Sequence, residues 1–199
     1  MHGGVSMTEK MEDRRIRRTK RLLKQGFAEL MREKDFQEIT VRDITDRMDL
    51  NRGTFYLHYA DTYDLLQKLE SDVLDDVQRM IDEHSSEAGT GSLQPVFEPV
   101  LDYIIENHDI CYSLFVNNAS SNFIGKVQKL IYENGVSLIH RCFSANVAEE
   151  KLAYILSFIT YGLIGLIKQW FDSNMSLDKH EVVKMADFMV TAAAERLIK

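Results

Sequence analysis

Asn51-Arg52-Gly53-Thr54 gathers, in four residues, side chains that can read the edge of a base pair. Arg52 can reach guanine O6 and N7 with both arms of its guanidinium, and Thr54 can bond an acceptor or touch a thymine methyl. Gly53 lets backbone come close. A helix entering a major groove about 12 Å wide must lead with small, polar or basic residues, and these four qualify. Tyr56, Leu57 and His58 follow, and the Tyr56 hydroxyl can reach a phosphate. Upstream, Arg14, Arg15, Arg17, Arg18, Lys20, Arg21 and Lys24 follow one another from Arg14 with no acid until Glu29. Alone, such a run is a solvated helix face. Followed by base-reading residues, it is a phosphate footprint.

The elements that must hold these residues are short helices. Arg14–Lys34 carries Ile16, Leu23, Phe27, Leu30 and Met31 on one helical stripe. Thr40 is a good N-cap with Asp43 three residues on, so a short helix runs to about Met48. Asp49 tolerates a left-handed turn, and Asn51 can cap a third helix from Arg52 to Tyr59. Asp61 caps a long fourth helix with Leu66, Leu69, Val73, Val77, Met80 and Ile81 inward. Two short helices joined by a tight turn are the helix-turn-helix pattern, with Phe55 and Tyr59 in its core. "SSEAGTGS", Ser85 to Ser92, reads as a linker. Five more helices are expected, at about 93–107, 109–117, 121–144, 148–173 and 178–198. No strand-like alternation appears, so the chain is all-α with about nine helices.

Charge supports the division. The 199 residues carry a net charge of −7, yet Arg14 to His58 holds twelve Lys and Arg against seven Asp and Glu, a net +5. The rest holds twelve basic and 24 acidic residues, a net −12. The protein is acidic overall and basic where it would meet phosphate. Two distant cysteines, Cys111 and Cys142, argue against a disulfide framework or zinc site and for a reducing cytoplasm. His84, His108, His140 and His180 show no metal-ligand spacing, and no cofactor is expected. No Gly-rich phosphate loop, Gly-x-Ser-x-Gly, His-Glu-x-x-His or spaced acidic pair suggests an enzyme. Residues 1–12 are a flexible or expression-derived leader. Leu152 to Ile167 is uncharged over 16 residues, short of the roughly 20 of a membrane span, and instead asks to be covered on nearly every side.

Ile39 to Leu66 resembles the DNA-binding signature of the TetR family of bacterial transcriptional regulators. The matching elements are the Thr40-capped helix, Gly53-Thr54-Phe55-Tyr56-Leu57-His58-Tyr59, and Asp61 to Leu66. The basic first helix and Phe27 extend the likeness over about residues 14–80. "YGLIGLIKQWF" with "MSLDKHEVVKMADFM" resembles the C-terminal end of a branch that includes regulators linked to dihydroxyacetone kinase. The resemblance implies a helix-turn-helix DNA-binding domain at 13–60 and a ligand-sensing and dimerisation domain at 61–199. It implies phosphate or base contacts from Thr40, Arg42, Asn51, Arg52, Gly53, Thr54, Tyr56, Leu57 and His58. Two positions depart from the pattern: Asp49 replaces the usual turn glycine, and Thr62 stands where a phosphate-contacting lysine is common.

The implied function is that of a homodimeric regulator, a repressor first of all, on a pseudo-palindromic operator in the bacterial cytoplasm, associated with the nucleoid when bound. An effector would shift the fourth helix and so the spacing of the recognition helices. The alternative is a co-regulator whose C-terminal domain binds a protein partner. Phe97, Leu101, Ile104, Phe115, Phe123, Tyr132, Tyr154, Phe158 and Tyr161 are candidate pocket residues, although core packing is the simpler role for any one of them. With no cationic cluster among these helices, an apolar or neutral small-molecule effector is expected. Gly162 and Gly165, with Met185, Phe188, Met189, Ala192 and Ala193, would pair across a two-fold axis as a four-helix bundle.

Overall fold

Low glycine and proline content with abundant Leu, Ile, Lys and Glu favours helix, and helix is what forms. A computed structural model describes the backbone of residues 7–88, 92–116, 122–143 and 149–198. The described residues form nine α-helices: α1 (Met7–Glu33), α2 (Val41–Arg47), α3 (Arg52–Tyr56), α4 (Thr62–His84), α5 (Gln94–Glu106), α6 (His108–Phe115), α7 (Phe123–Phe143), α8 (Glu149–Asp172) and α9 (Lys179–Ile198). No strand occurs among the described residues. The expected α3 is longer than the observed one: Leu57 closes it with an N–H bond to the Gly53 carbonyl, and a turn follows.

Two compact units form, residues 1–69 and 70–199, and α4 contributes to both. In the first, Leu23, Phe27, Ile44, Phe55 and Leu65 are fully buried. Ile16, placed on the inner stripe by its spacing, is instead 38% exposed. Helix α1 is bound to α2 by ion pairs at both ends of α2. Lys34 Nζ meets Asp43 Oδ2 at 2.8 Å, and Arg47 grips Glu33 through two bonds of 2.8 and 2.6 Å. Gly26 allows the close approach, because a Cβ there would lie 2.6 Å from Met48 Cγ.

In the second unit α5 packs on α9, α7 on α8, and α8 on α9. Trp170, Phe171, Leu101, Cys111 and Val182 share one buried cluster. Trp170 Nε1 donates to the Leu177 carbonyl at 2.9 Å, fixing the turn between α8 and α9, where Asn174 and Met175 adopt positive φ. Asp187 of α9 is buried and accepts from the Leu93 N–H and the Ser92 hydroxyl, so it ties down the start of α5. Lys179 adds an ion pair to Asp102 at 2.7 Å.

Helix α8 is long and apolar enough to cross a membrane by length and composition. Here it packs against α6, α7 and α9. It is not covered on nearly every side within one chain. The neighbours occupy one face and leave the opposite one open, with Tyr154, Phe158 and Tyr161 58–74% exposed.

Candidate nucleic-acid interface and regulatory cavity

The helix-turn-helix is fixed by short-range hydrogen bonds from its own polar side chains. Thr40 caps α2: its hydroxyl accepts from the Asp43 N–H at 3.2 Å and donates to Asp43 Oδ2 at 2.8 Å, while Asp43 accepts the Thr40 N–H at 2.9 Å. Lys34 beside it, with the two Thr40 bonds, holds the Asp43 carboxyl down at about 2. The turn passes through Asp49 with φ of 51°, the left-handed conformation that glycine adopts most easily and Asp tolerates. Asn51 then caps α3 by accepting the Gly53 N–H at 2.8 Å. Asp61 accepts the Asp64 N–H at 2.8 Å at the head of α4, and Asp64 accepts the Ala60 N–H at 2.9 Å.

These caps orient the nine candidate contact residues. Thr40, Arg42, Asn51, Arg52, Gly53, Tyr56 and Leu57 are exposed, Leu57 by 80%, whereas Thr54 and His58 are half-buried. Phe55 and Tyr59 are buried beneath them. Arg42 Nε lies 3.2 Å from Asp46 Oδ2, a solvent-exposed pair that a phosphate can displace at little cost. Burial, then the Lys20 charge, lowers the His58 pKa, so its ring is neutral at pH 7 and offers hydrogen bonding rather than charge. Thr62 is the first residue of α4 and is half-buried.

Inside the second unit lies a cavity of about 140 Å³. Phe97, Leu101, Ile104, Phe115 and Phe123 line it together, with Val73, Val77 and Ile167 among the other walls. Its surface is wholly apolar. Tyr103 also lines it, but its phenol hydrogen-bonds Asp76, and burial pushes its pKa far up. Burial pushes the Cys111 thiol up to about 12, so this wall residue stays neutral and unreactive.

The other four pocket candidates lie elsewhere. Tyr132 is half-buried against Leu152 and Leu156. Tyr154, Phe158 and Tyr161 sit on the open face of α8, because Ile155, Ile159 and Ile167 occupy its inner face. Gly162 and Gly165 share that open face, and a Cβ at either would meet nothing within 4 Å. On α9, Met185, Phe188 and Met189 are exposed, Phe188 by 70%, while Ala192 and Ala193 are half-buried. Both helices therefore present an apolar stripe at helical spacing that is uncovered in a single chain.

The family described as bacterial regulatory proteins, tetR family, matches residues 26–69, and a transcriptional regulator C-terminal region matches residues 91–192, just over half of the chain. The chain belongs to the TetR family. TetR regulators are DNA-binding proteins and not enzymes, and they act as dimers. An uncharacterised HTH-type transcriptional regulator, YxbF of Bacillus subtilis (strain 168), is 44% identical over 67 residues. That stretch covers 33% of this chain and 18% of YxbF, so the match spans under a fifth of that relative's length. Among solved structures, a TetR regulator from Streptococcus agalactiae 2603V is 20% identical, with 90% of this chain and 97% of that one covered and a TM-score of 0.63. The dihydroxyacetone kinase operon activator DhaS is 17% identical, with 89% and 96% covered and a TM-score of 0.63. The fatty acid degradation regulator FadR from Bacillus halodurans is 14% identical, with 87% and 94% covered and a TM-score of 0.65. At these identities the structures share a fold with this chain.

Several residues that set this TetR site escape sequence reasoning. Lys34 and Arg47 look like ordinary surface cations, and nothing local to them points to Asp43 or Glu33. Gly26 sits mid-helix without any turn signal. Only an inner-face glycine in a short helical domain hints at the close contact with Met48.

Proposed function

We propose that this TetR regulator is an effector-controlled repressor that binds a pseudo-palindromic operator as a homodimer. In this reading residues 13–60 bind DNA and residues 61–199 sense and dimerise. The observation that carries it is the uncovered face of α8 and α9, where Tyr154, Phe158, Tyr161 and Phe188 each expose more than half of their surface. A contiguous apolar patch of this kind marks an interaction surface. Gly162 and Gly165 leave room for a facing helix on the same side. A second copy supplies an identical stripe, and the four helices close as a two-fold bundle.

Two copies place two recognition helices on one face of the duplex, as half-sites one helical turn apart require. Arg52, Gly53 and Thr54 meet bases. Thr40, Arg42, Asn51, Tyr56, Leu57 and His58 position the domain on phosphate and the groove edge. The apolar cavity supports an apolar or neutral small-molecule effector. Helix α4 carries both Thr62 and the cavity residues Val73, Val77 and Ile81, so ligand binding bears on an element shared with the DNA-binding unit. The effector acts only to the extent that it prefers one spacing of the recognition helices. The site of action is the cytoplasm, on the nucleoid.

Fluorescence anisotropy with fragments of the DNA flanking the protein's own gene tests this reading. Specific binding should be steeply salt-dependent and saturate at one dimer per site, and a reporter under that promoter should rise when the gene is deleted. Binding at one monomer per site would remove the dimer, and a reporter that falls on deletion would make the protein an activator.

A further inference from the structure

The cavity of about 140 Å³ has a neighbour of about 90 Å³, and Ile81, Val96, Phe97, Ile131 and Leu163 are walls of both. Neither exposes any polar surface. We infer that the two are lobes of a single seat, and that it takes an elongated hydrocarbon without a hydrogen-bonding group, a ring in the larger lobe with an alkyl tail in the smaller. That this hydrocarbon acts as the effector rests on the reading of the larger cavity as the effector's seat.

The order of wall residues along the helices sets the lobes end to end. On α7 the larger lobe is lined by Phe123, Val127 and Ile131, and the smaller one continues from Ile131 to Leu138. These residues recur every three or four positions, one stripe of the helix. On α9 the sequence is the same: Val182 and Ala186 face the larger lobe, Val190 the smaller. On α8 it is reversed, with Leu156 and Ile159 at the smaller lobe and Ile167 at the larger, as a helix running the other way requires. From Phe123 to Leu138 the α7 axis advances about 22 Å, so the two lobes together suit a long ligand rather than a round one. Phe97 of α5 stands at their junction and packs against the buried clusters on both sides.

The walls select against a head group. Tyr103, Cys111 and Asn134 are the wall residues with polar side-chain atoms. Tyr103 is hydrogen-bonded to Asp76. The Asn134 amide donates to Gln78 Oε1 at 2.7 Å and to the Leu130 carbonyl at 2.9 Å, and its oxygen accepts from Gln78 Nε2 at 3.0 Å. Cys111 offers only a neutral thiol, a weak donor. A hydroxyl carried into either lobe would lose its hydration with no partner to replace it, and a carboxylate would lose far more. A hydrocarbon meets no such penalty. An apolar cavity of about 150 Å³ accepts benzene, which sets the size of ring for the larger lobe.

Titration of the full chain with benzene, toluene, ethylbenzene and propylbenzene tests this, followed by 3-phenylpropan-1-ol and 3-phenylpropanoate. The readout is the fluorescence of Trp170, the sole tryptophan, which shares a buried cluster with the wall residues Leu101 and Ile167. Affinity should rise about fourfold with each carbon of the tail. The terminal hydroxyl should weaken binding at least tenfold relative to propylbenzene, and the carboxylate should weaken it further. Val190 lines only the smaller lobe, so Val190→Phe should leave benzene within about threefold of the parent and hold propylbenzene near toluene. If that variant does not fold, Leu138→Phe fills the same lobe from α7. Affinities that stop rising at toluene on the parent, or that keep rising on the filled variant, would overturn the two-lobed seat. An alcohol that binds as tightly as propylbenzene would overturn the exclusion of a head group and leave the cavity as effector site. Propylbenzene that binds yet leaves operator affinity unchanged would overturn the effector reading alone. Failure of every compound to bind would overturn both.

Discussion

Arg42 and Arg52 are both exposed arginines of the helix-turn-helix, but they stand at different points of it and their loss should show differently. Arg52 opens α3 and is the proposed reader of base edges, so Arg52→Ala should cost about 1–3 kcal/mol at the cognate site and flatten base preference there. Arg42, one residue into α2 and paired with Asp46 on the surface, is the proposed phosphate contact. Arg42→Ala should weaken cognate and random DNA alike and reduce the slope of log K against log salt by about 0.9. Anisotropy at several salt concentrations separates the two. Identical behaviour of both variants would reject the division into base and phosphate contacts. The same measurement reads Thr62→Lys, a cation added to the first turn of α4. It should steepen the slope by about 0.9 with little change in sequence preference.

The elements of the first unit are held by contacts whose loss has a defined signature. Asp43 ties the cap of α2 to Lys34, and its carboxyl is held at about 2 against an ordinary 3.8. A carboxyl depressed on folding stabilises the fold above its unfolded value, and that contribution disappears as pH falls from about 4 through about 2. Asp43→Asn should therefore lower stability at pH 6 and shallow the acid limb of urea midpoints measured from pH 6 to 2. A parallel pair of curves would show that Asp43 is not the group involved. Gly26→Ala would press a methyl group into Met48 of the same unit and should destabilise it by about 1–3 kcal/mol, with Met48→Ala relieving part of the loss. The contrast between these contacts and the caps shows what the sequence makes legible. Thr40 with Asp43, Asp49 at the turn, Asn51 before Gly53 and Asp61 before Asp64 are pairings within a few residues, so local chemistry reveals them. Lys34 with Asp43, Arg47 with Glu33 and Gly26 with Met48 depend on how α1 lies on α2, which no local pattern encodes. Aromatic side chains pose the same problem along α8. The helical period groups Tyr154, Phe158 and Tyr161 correctly on one face, but both faces are apolar. Composition alone therefore assigned to the pocket a face that the packing of α7 and α9 leaves outside.

For the whole molecule, the proposed dimer rests on what the second unit leaves uncovered. Helix α8 has 24 residues and covers its inner face with its own chain, yet its outer face keeps three exposed aromatic rings beside two open glycines. Phe188 of α9 adds a fourth ring, 70% exposed. A two-fold partner would remove these rings from water at about 25 cal/mol per Å² of apolar surface, and a charge placed among them would be buried without a counter-charge. Phe188→Asp should therefore be monomeric at micromolar concentration by light scattering where the parent is dimeric, and Gly165→Leu should do the same by filling the space that the facing helix needs. The loss on DNA should then depend on the length of the target. One helix-turn-helix still docks on an isolated half-site, so half-site affinity should match the parent's. The full operator should lose the advantage of two linked contacts, a factor of about 10²–10⁴. Unchanged helicity by circular dichroism would separate this from unfolding. A Phe188→Asp protein that remains dimeric, or that binds the full operator as the parent does, would move the interface away from α8 and α9.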